Sequence, residues 1–259
     1  MLRIFAVFFV LLVSVLTHAA EVKPTNKMTH VFMAGDSTMS IKEVKDYPET
    51  GWGVPFSHFF DEHLIVDNRA RNGRSTRTFK SEGRWQSIMD ELSSDDYVFI
   101  QFGHNDQSEH KKDRYTPPKD FQANLTGFVA DVRSKGAEPI LLTPITRRYF
   151  NEQGVIEPTH GVYADLVRDV AREQKVTFLD MEAITREYFQ AMGDDLSALR
   201  FMHIAADLHP NYPIGVSDDT HLNHLGAREV AQLVLTELKR QQHPLAGRLR
   251  TPDPKHLKR

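Results

Sequence analysis

Residues 31–40 read VFMAGDSTMS, an apolar run that stops at Gly35-Asp36-Ser37-Thr38. Four apolar residues closed by Gly and Asp are too few for a helix and suit a buried strand. The serine just past that strand has two readings. Ser37 is either a nucleophile at the strand's carboxyl end or an N-cap, whose hydroxyl accepts hydrogen bonds from the unpaired N–H groups of a following helix. The stretch alone leaves both open, but it establishes one strand with which other segments can be compared.

The same kind of run recurs along the chain. Residues 30–34, 64–68, 97–101, 140–143 and 176–180 are short and rich in β-branched and aromatic side chains. Between or after them, 121–135, 162–174, 182–192 and 227–240 place apolar residues at helical spacing. Strands alternating with helices predict an α/β fold, a three-layer α/β/α sandwich around a central parallel sheet of about five strands. In such sheets ligands bind outside the carboxyl ends of the strands. Gly35-Asp36-Ser37 comes after the first run and Gly103-His104-Asn105-Asp106 after the third, so both belong to that edge.

The chain has 259 residues, 40% of them hydrophobic, enough for one sizeable core without a second domain. Its charge is mixed, with a formal net charge of −3, which argues against a nucleic-acid partner. It has no cysteine, so disulfides and thiolate catalysis are excluded. Residues 1–20, MLRIFAVFFVLLVSVLTHAA, combine Arg3, an apolar stretch and a small-residue end. That pattern predicts a signal peptide cut after Ala19 or Ala20, hence export to the periplasm or beyond with no stable membrane anchor after cleavage. An uncleaved anchor is the rival reading, though the apolar stretch is shorter than the roughly 20 residues a spanning helix needs. The expected organisation is a signal peptide over 1–20, one α/β domain over 21–242 and a basic tail over 243–259, the tail mobile or strapped over the surface.

Serine becomes a useful nucleophile only when a base takes its proton, a carboxylate holds that base, and hydrogen-bond donors receive the oxyanion. Four short blocks could supply these parts. The first holds Ser37. The second, Asn72-Gly73-Arg74-Ser75-Thr76-Arg77, lets a glycine N–H approach a substrate closely, or is simply a turn. The third offers the Asn105 amide to an oxyanion, or to loop backbone groups. The fourth, Ser217-Asp218-Asp219-Thr220-His221-Leu222-Asn223, spaces Asp218 three residues before His221, close enough to fold back and hold the ring. Asp219 and His224 compete for those places. Asp218, His221, His224, His203 and His209 also form a His/Asp-rich segment that could bind zinc, but it lacks a paired ligand motif.

The four blocks occur in the order that identifies the SGNH (GDSL-type) hydrolase superfamily, and the chain resembles it over nearly all of its mature length. The words GDSTMS (35–40), GWGVPF (51–56), NGRSTRTF (72–79), FGHNDQ (102–107), TPITRRYF (143–150) and DDTHLNHLGA (218–227) resemble rhamnogalacturonan acetylesterases in particular. The resemblance implies a flavodoxin-like fold and a cofactor-free, metal-free serine esterase acting on acetylated polysaccharide or oligosaccharide. It makes Ser37 the nucleophile, His221 the general base and acid, and Asp218 its orienting partner. Ser37, Gly73 and Asn105 form the oxyanion hole. A pectic substrate carries carboxylates, for which arginine forks are suited. Arg74, Arg77, Arg147 and Arg148 flank the edge loops, and Trp52 and Trp85 offer flat surfaces for sugars; Trp52, Arg77 and Arg147 are taken as substrate-binding candidates. Other acyl donors, acetylxylan or lipids among them, and a non-catalytic carbohydrate-binding protein are the alternatives.

Overall fold

The computed structural model describes residues 28–250. The expected signal peptide, 1–20, and the outer part of the tail, 251–259, lie outside the described residues. Five strands form one sheet: β1 (Thr29–Gly35), β2 (Leu64–Asn68), β3 (Tyr97–Gln101), β4 (Glu138–Leu142) and β5 (Thr177–Leu179). Their order is β2-β1-β3-β4-β5 and every neighbouring pair is parallel. The helices are α1 (Gly53–Phe56), α2 (Thr76–Ser81), α3 (Arg84–Glu91), α4 (Pro118–Ser134), α5 (Gly161–Gln174), α6 (Met181–Ala198) and α7 (His224–Arg240).

Successive side chains of a strand point to opposite faces, so one strand serves two cores. Val31 and Met33 of β1, Phe99 of β3 and Ile140 of β4 pack with Trp52, Phe56, Phe189 and the apolar stripe of α7. Phe32 and Ala34, Val98 and Ile100, and Leu141 pack with Phe79, Trp85, Phe128 and Val167 on the other face. The result is the three-layer α/β/α sandwich the sequence predicts. Boundaries move where capping decides them. Helix α4 starts at Pro118, because a proline needs no N–H partner in the first turn. Helix α6 leaves helical geometry at Gly193 (φ 77°), directly after the residue where the apolar spacing ends.

One element has no counterpart in the sequence reading. Strands β6 (Phe201–Ile204) and β7 (Val216–Leu222) form a separate antiparallel pair. Phe201 pairs with Leu222 and Met202 with Asp218, so Asp219, Thr220 and His221 bulge out of the ladder. Residues 243–250, assigned by sequence to the tail, are seated on the domain. Leu245 is 1% exposed, Phe60 and Leu249 form a bridge, and Arg248 Nε lies 2.9 Å from Asp61. They lie at the amino ends of the strands, since His243 reaches Glu138 at the start of β4.

Candidate active site

The sheet order reverses between β1 and β3, and ligand sites in open α/β sheets lie beyond the carboxyl ends at that point. Ser37 leaves β1 there and Asn105 lies just past β3. No helix starts at Ser37, and the next element is a 3-10 turn at Val44–Asp46, so the N-cap reading falls. The turn is built by Asp36. Its carboxylate accepts hydrogen bonds from the Thr38 N–H at 2.9 Å and the Thr38 hydroxyl at 2.8 Å, while its carbonyl accepts from Met39 and Ser40. Burial pushes the Asp36 carboxyl up from its ordinary value, against those two bonds.

Ser37 Oγ lies 2.9 Å from His221 Nε2, and His221 Nδ1 lies 2.7 Å from Asp218 Oδ2. A carboxylate only accepts, so Nδ1 carries the proton; Nε2 of the neutral ring then accepts from the Ser37 hydroxyl. The bulge in β7 makes this possible. By turning back, it lets the N–H groups of Thr220 and His221 donate to Asp218 Oδ1 at 2.7 and 3.1 Å. Burial pushes the Asp218 carboxyl up, but the bonds from His221 and these N–H groups outweigh it and hold it at about 2. The two competitors are occupied elsewhere. Asp219 accepts from Arg148 at 2.7 Å and lies 2.8 Å from His203 Nε2, and His224 opens α7 behind the Asn223 N-cap. Among the described residues no group of three His, Cys, Asp or Glu side chains is placed to hold a metal ion.

The other blocks are pinned to the same turn. Lys42, its side chain 5% exposed, donates to the Ser37 carbonyl, to Asn72 Oδ1 at 2.8 Å and to Glu49 at 2.7 Å. It thereby ties the turn of Ser37 to the loop carrying Gly73. Asp106 accepts from the Thr76 N–H at 2.9 Å and its hydroxyl at 2.6 Å, joining the third block to the start of α2. Burial pushes its carboxyl up to about 7 in spite of those bonds. Asn105 Nδ2 donates to the Arg74 carbonyl at 3.0 Å, leaving its second hydrogen for a ligand. Gly73 holds φ +75°, a conformation that favours glycine, and among the described residues neither its N–H nor that of Ser37 has a partner. Two free backbone donors and half an amide therefore accompany the Ser–His–Asp chain.

The substrate candidates fare differently. Trp52 is 0% exposed, packs edge-on against Phe56 and donates to Gln101 at 2.8 Å, so it cannot stack on a sugar. Trp85 is also buried and donates to Asp131. Arg77 is spent on the Lys112 carbonyl at 2.8 Å, and Arg74 and Arg148 are paired with Glu82 and Asp219. Arg147 alone among these four arginines has no partner for its guanidinium among the described residues. Lys42 was invisible to the sequence reading, because a lone lysine in a loop carries no spacing signal.

The model of the GDSL-like lipase/acylhydrolase family matches residues 33–228. The chain is 42% identical to rhamnogalacturonan acetylesterase RhgT of Bacillus subtilis (strain 168) over 224 residues, covering 86% of this chain and 95% of that protein. It is 35% identical to the probable rhamnogalacturonan acetylesterase YesY of the same organism, over 83% of this chain and 95% of YesY. Among solved structures, the Bacillus subtilis protein YxiM superposes with a TM-score of 0.71 at 27% identity, over 86% of this chain and 59% of that one. Axe2, an acetylxylan esterase from Geobacillus stearothermophilus, shares the fold with a TM-score of 0.57 at 20% identity, over 82% of this chain and 94% of that one. With the family model spanning all four blocks, the chain belongs to the GDSL-like lipase/acylhydrolase family and is a carboxylic ester hydrolase.

Proposed function

We propose that the protein is an exported serine esterase that removes O-acetyl groups from a pectic polysaccharide, rhamnogalacturonan, through an acetyl-serine intermediate. The observation that carries the reading is the hydrogen-bonded chain from Ser37 through His221 to Asp218 at the carboxyl edge of the sheet, where the N–H groups of Ser37 and Gly73 have no partner among the described residues. The polysaccharide is supported by the names of RhgT and YesY, and export by the pattern of residues 1–20.

The chemistry comes from the positions. As Ser37 Oγ attacks the acetyl carbonyl carbon, its proton passes to His221 Nε2, and the imidazolium formed is stabilised by Asp218. The carbonyl oxygen, now negative, is received by the N–H groups of Ser37 and Gly73 and the free amide hydrogen of Asn105. His221 returns the proton to the departing sugar oxygen, and the C–O ester bond breaks to leave acetyl-Ser37. Water attacks that ester with His221 again as base, releasing acetate and restoring the hydroxyl.

The test is acetate release from acetylated rhamnogalacturonan and acetylated xylan by the wild type and by Ser37→Ala. Serine-dependent release that favours rhamnogalacturonan is expected. A preference for xylan would overturn the substrate while keeping the chemistry, and activity undiminished in Ser37→Ala would overturn the chemistry.

A further inference from the structure

Arg147 is unusual in its surroundings. It lies after β4 on the segment that reaches the catalytic edge, and it is partly buried. A buried charge without a partner is unfavourable, and proteins normally pair it. The neighbouring arginines obey that rule, with Arg148 bound to Asp219 and Asp194 and Arg74 to Glu82. The Arg147 guanidinium has neither carboxylate nor carbonyl against it among the described residues. Burial lowers its pKa from the ordinary guanidinium value, against the opposing influence of Tyr149, Asp36 and Asp218, none of which is within hydrogen-bond distance of it.

Arg147 faces a cleft of about 640 Å³, within the size range of small-ligand sites. Its wall includes Lys111, His110, Tyr149, His160 and Thr220, and no Asp or Glu lines it. Thr220 directly precedes His221, so the cleft adjoins the catalytic base. Burial and the charge of Arg147 hold His160 well below the usual imidazole range, and its Nε2 lies 2.9 Å from His104 Nδ1. The His160 wall is therefore neutral, Arg147 and Lys111 are the arginine and lysine that line the cleft, and the nearby acids that act on Arg147, Asp36 and Asp218, lie outside its lining. Tyr149, 51% exposed, adds the flat face that neither tryptophan provides.

We infer that this cleft is a carboxylate-reading subsite, in which the Arg147 fork pairs with the carboxylate of a uronic acid unit of the bound chain. The inference rests on the proposed polysaccharide function and names the chemical group that the same site selects. A planar guanidinium offers two parallel N–H donors to a carboxylate, which fixes orientation as well as charge. Held beside His221, such a unit fixes which stretch of the chain reaches Ser37.

Binding tests this without turnover. A deacetylated rhamnogalacturonan fragment of alternating galacturonate and rhamnose is titrated calorimetrically into the wild type, beside the same fragment with its carboxylates reduced to neutral alcohols. The acidic fragment should bind at least about ten-fold more tightly. Arg147→Met should shrink that ratio to about twofold or less, and Arg147→Lys, which keeps charge without the fork, should fall between. Equal binding of the two fragments by the wild type, no binding of either, or a ratio unchanged in a folded Arg147→Met overturns the subsite. The wild-type comparison stands even if a variant does not fold. Failure of the esterase reading shows separately, in acetate release and its dependence on Ser37.

Discussion

At the scale of single residues, the acids of this site do different work according to who bonds them. Asp36 and Asp106 are fully buried, each has one oxygen without a partner, and burial raises both carboxyls; they build turns. Asp218, bonded by one ring N–H and two backbone N–H groups, is held at about 2 and keeps its charge for His221. Asp218→Asn removes that charge and lets the imidazole take the wrong tautomer, so kcat should fall on the order of 10⁴-fold in an acetate-release assay. The same pair predicts a pH dependence of stability. The folded-state pKa of about 2 lies below the ordinary 3.8, so the stabilisation is present above that ordinary value and is lost as pH falls through about 2. Thermal unfolding midpoints of wild type and Asp218→Asn, measured from pH 5 to pH 2, should converge toward the acid end. Parallel curves would mean the carboxylate contributes nothing to the folded state.

At the scale of elements, the distance between Ser37 and His221 is set by the segment between them. Trp52 N–H donates to the Thr38 carbonyl at 2.9 Å, and Thr50 N–H donates to the Leu222 carbonyl at 2.9 Å, so residues 50–52 bridge the serine turn and the histidine strand. Gly51 has no room for a side chain, since a Cβ there would lie 2.3 Å from the Met39 carbonyl carbon and the Ser40 oxygen. Gly51→Ala should push the two elements apart, costing about 1–3 kcal/mol of stability as overpacking does. It should also lower kcat, because angstrom-scale misplacement of reacting groups can cost about 10²-fold. Gly127→Ala, in the middle of α4 with nothing within 4 Å of the new Cβ, is the control and should leave kcat alone. Much of this architecture was legible in sequence and some was not, for physical reasons. The inner strands β1, β3 and β4 are buried on both faces and read as apolar runs, and the D-x-x-H spacing placed Asp218 by His221. The β6–β7 pair was illegible because VSDDTHL has no apolar alternation; its strand character comes from pairing with 201–204 and from the bulge. Trp52 was misread because a core aromatic and a sugar platform look the same in sequence, and its full burial and its bond to Gln101 separate them. Lys42 needed contacts 30 and 5 residues apart in the chain, which no local pattern encodes.

At the scale of the whole molecule, the two ends of the sheet divide the labour. The carboxyl ends gather the blocks of the candidate site, while the amino ends are closed by the chain's last described residues. Leu245 inserts there against the core shared with α7, His243 Nε2 lies 2.9 Å from Glu138, and Arg248 pairs with Asp61. The Arg248–Asp61 ion pair is partly exposed and worth little, about 0–1 kcal/mol, and the His243–Glu138 hydrogen bond is worth about 1 kcal/mol, so Leu245 should carry most of the strap's contribution. Truncating a buried leucine costs about 2–5 kcal/mol, and a short 3-10 segment at the surface can collapse onto the gap, which favours the lower figure. A loss of about 2 kcal/mol in a domain of this size corresponds to a fall of about 4–8 °C in Tm. Leu245→Ala should therefore melt earlier by that amount while its kcat and KM for acetate release, measured well below the transition, match the wild type. The separation is geometric, since the strap and the triad sit at opposite ends of β1, β3 and β4. A change in KM without a change in Tm would mean that the strap reaches the substrate, and the division between a catalytic end and a structural end would fail.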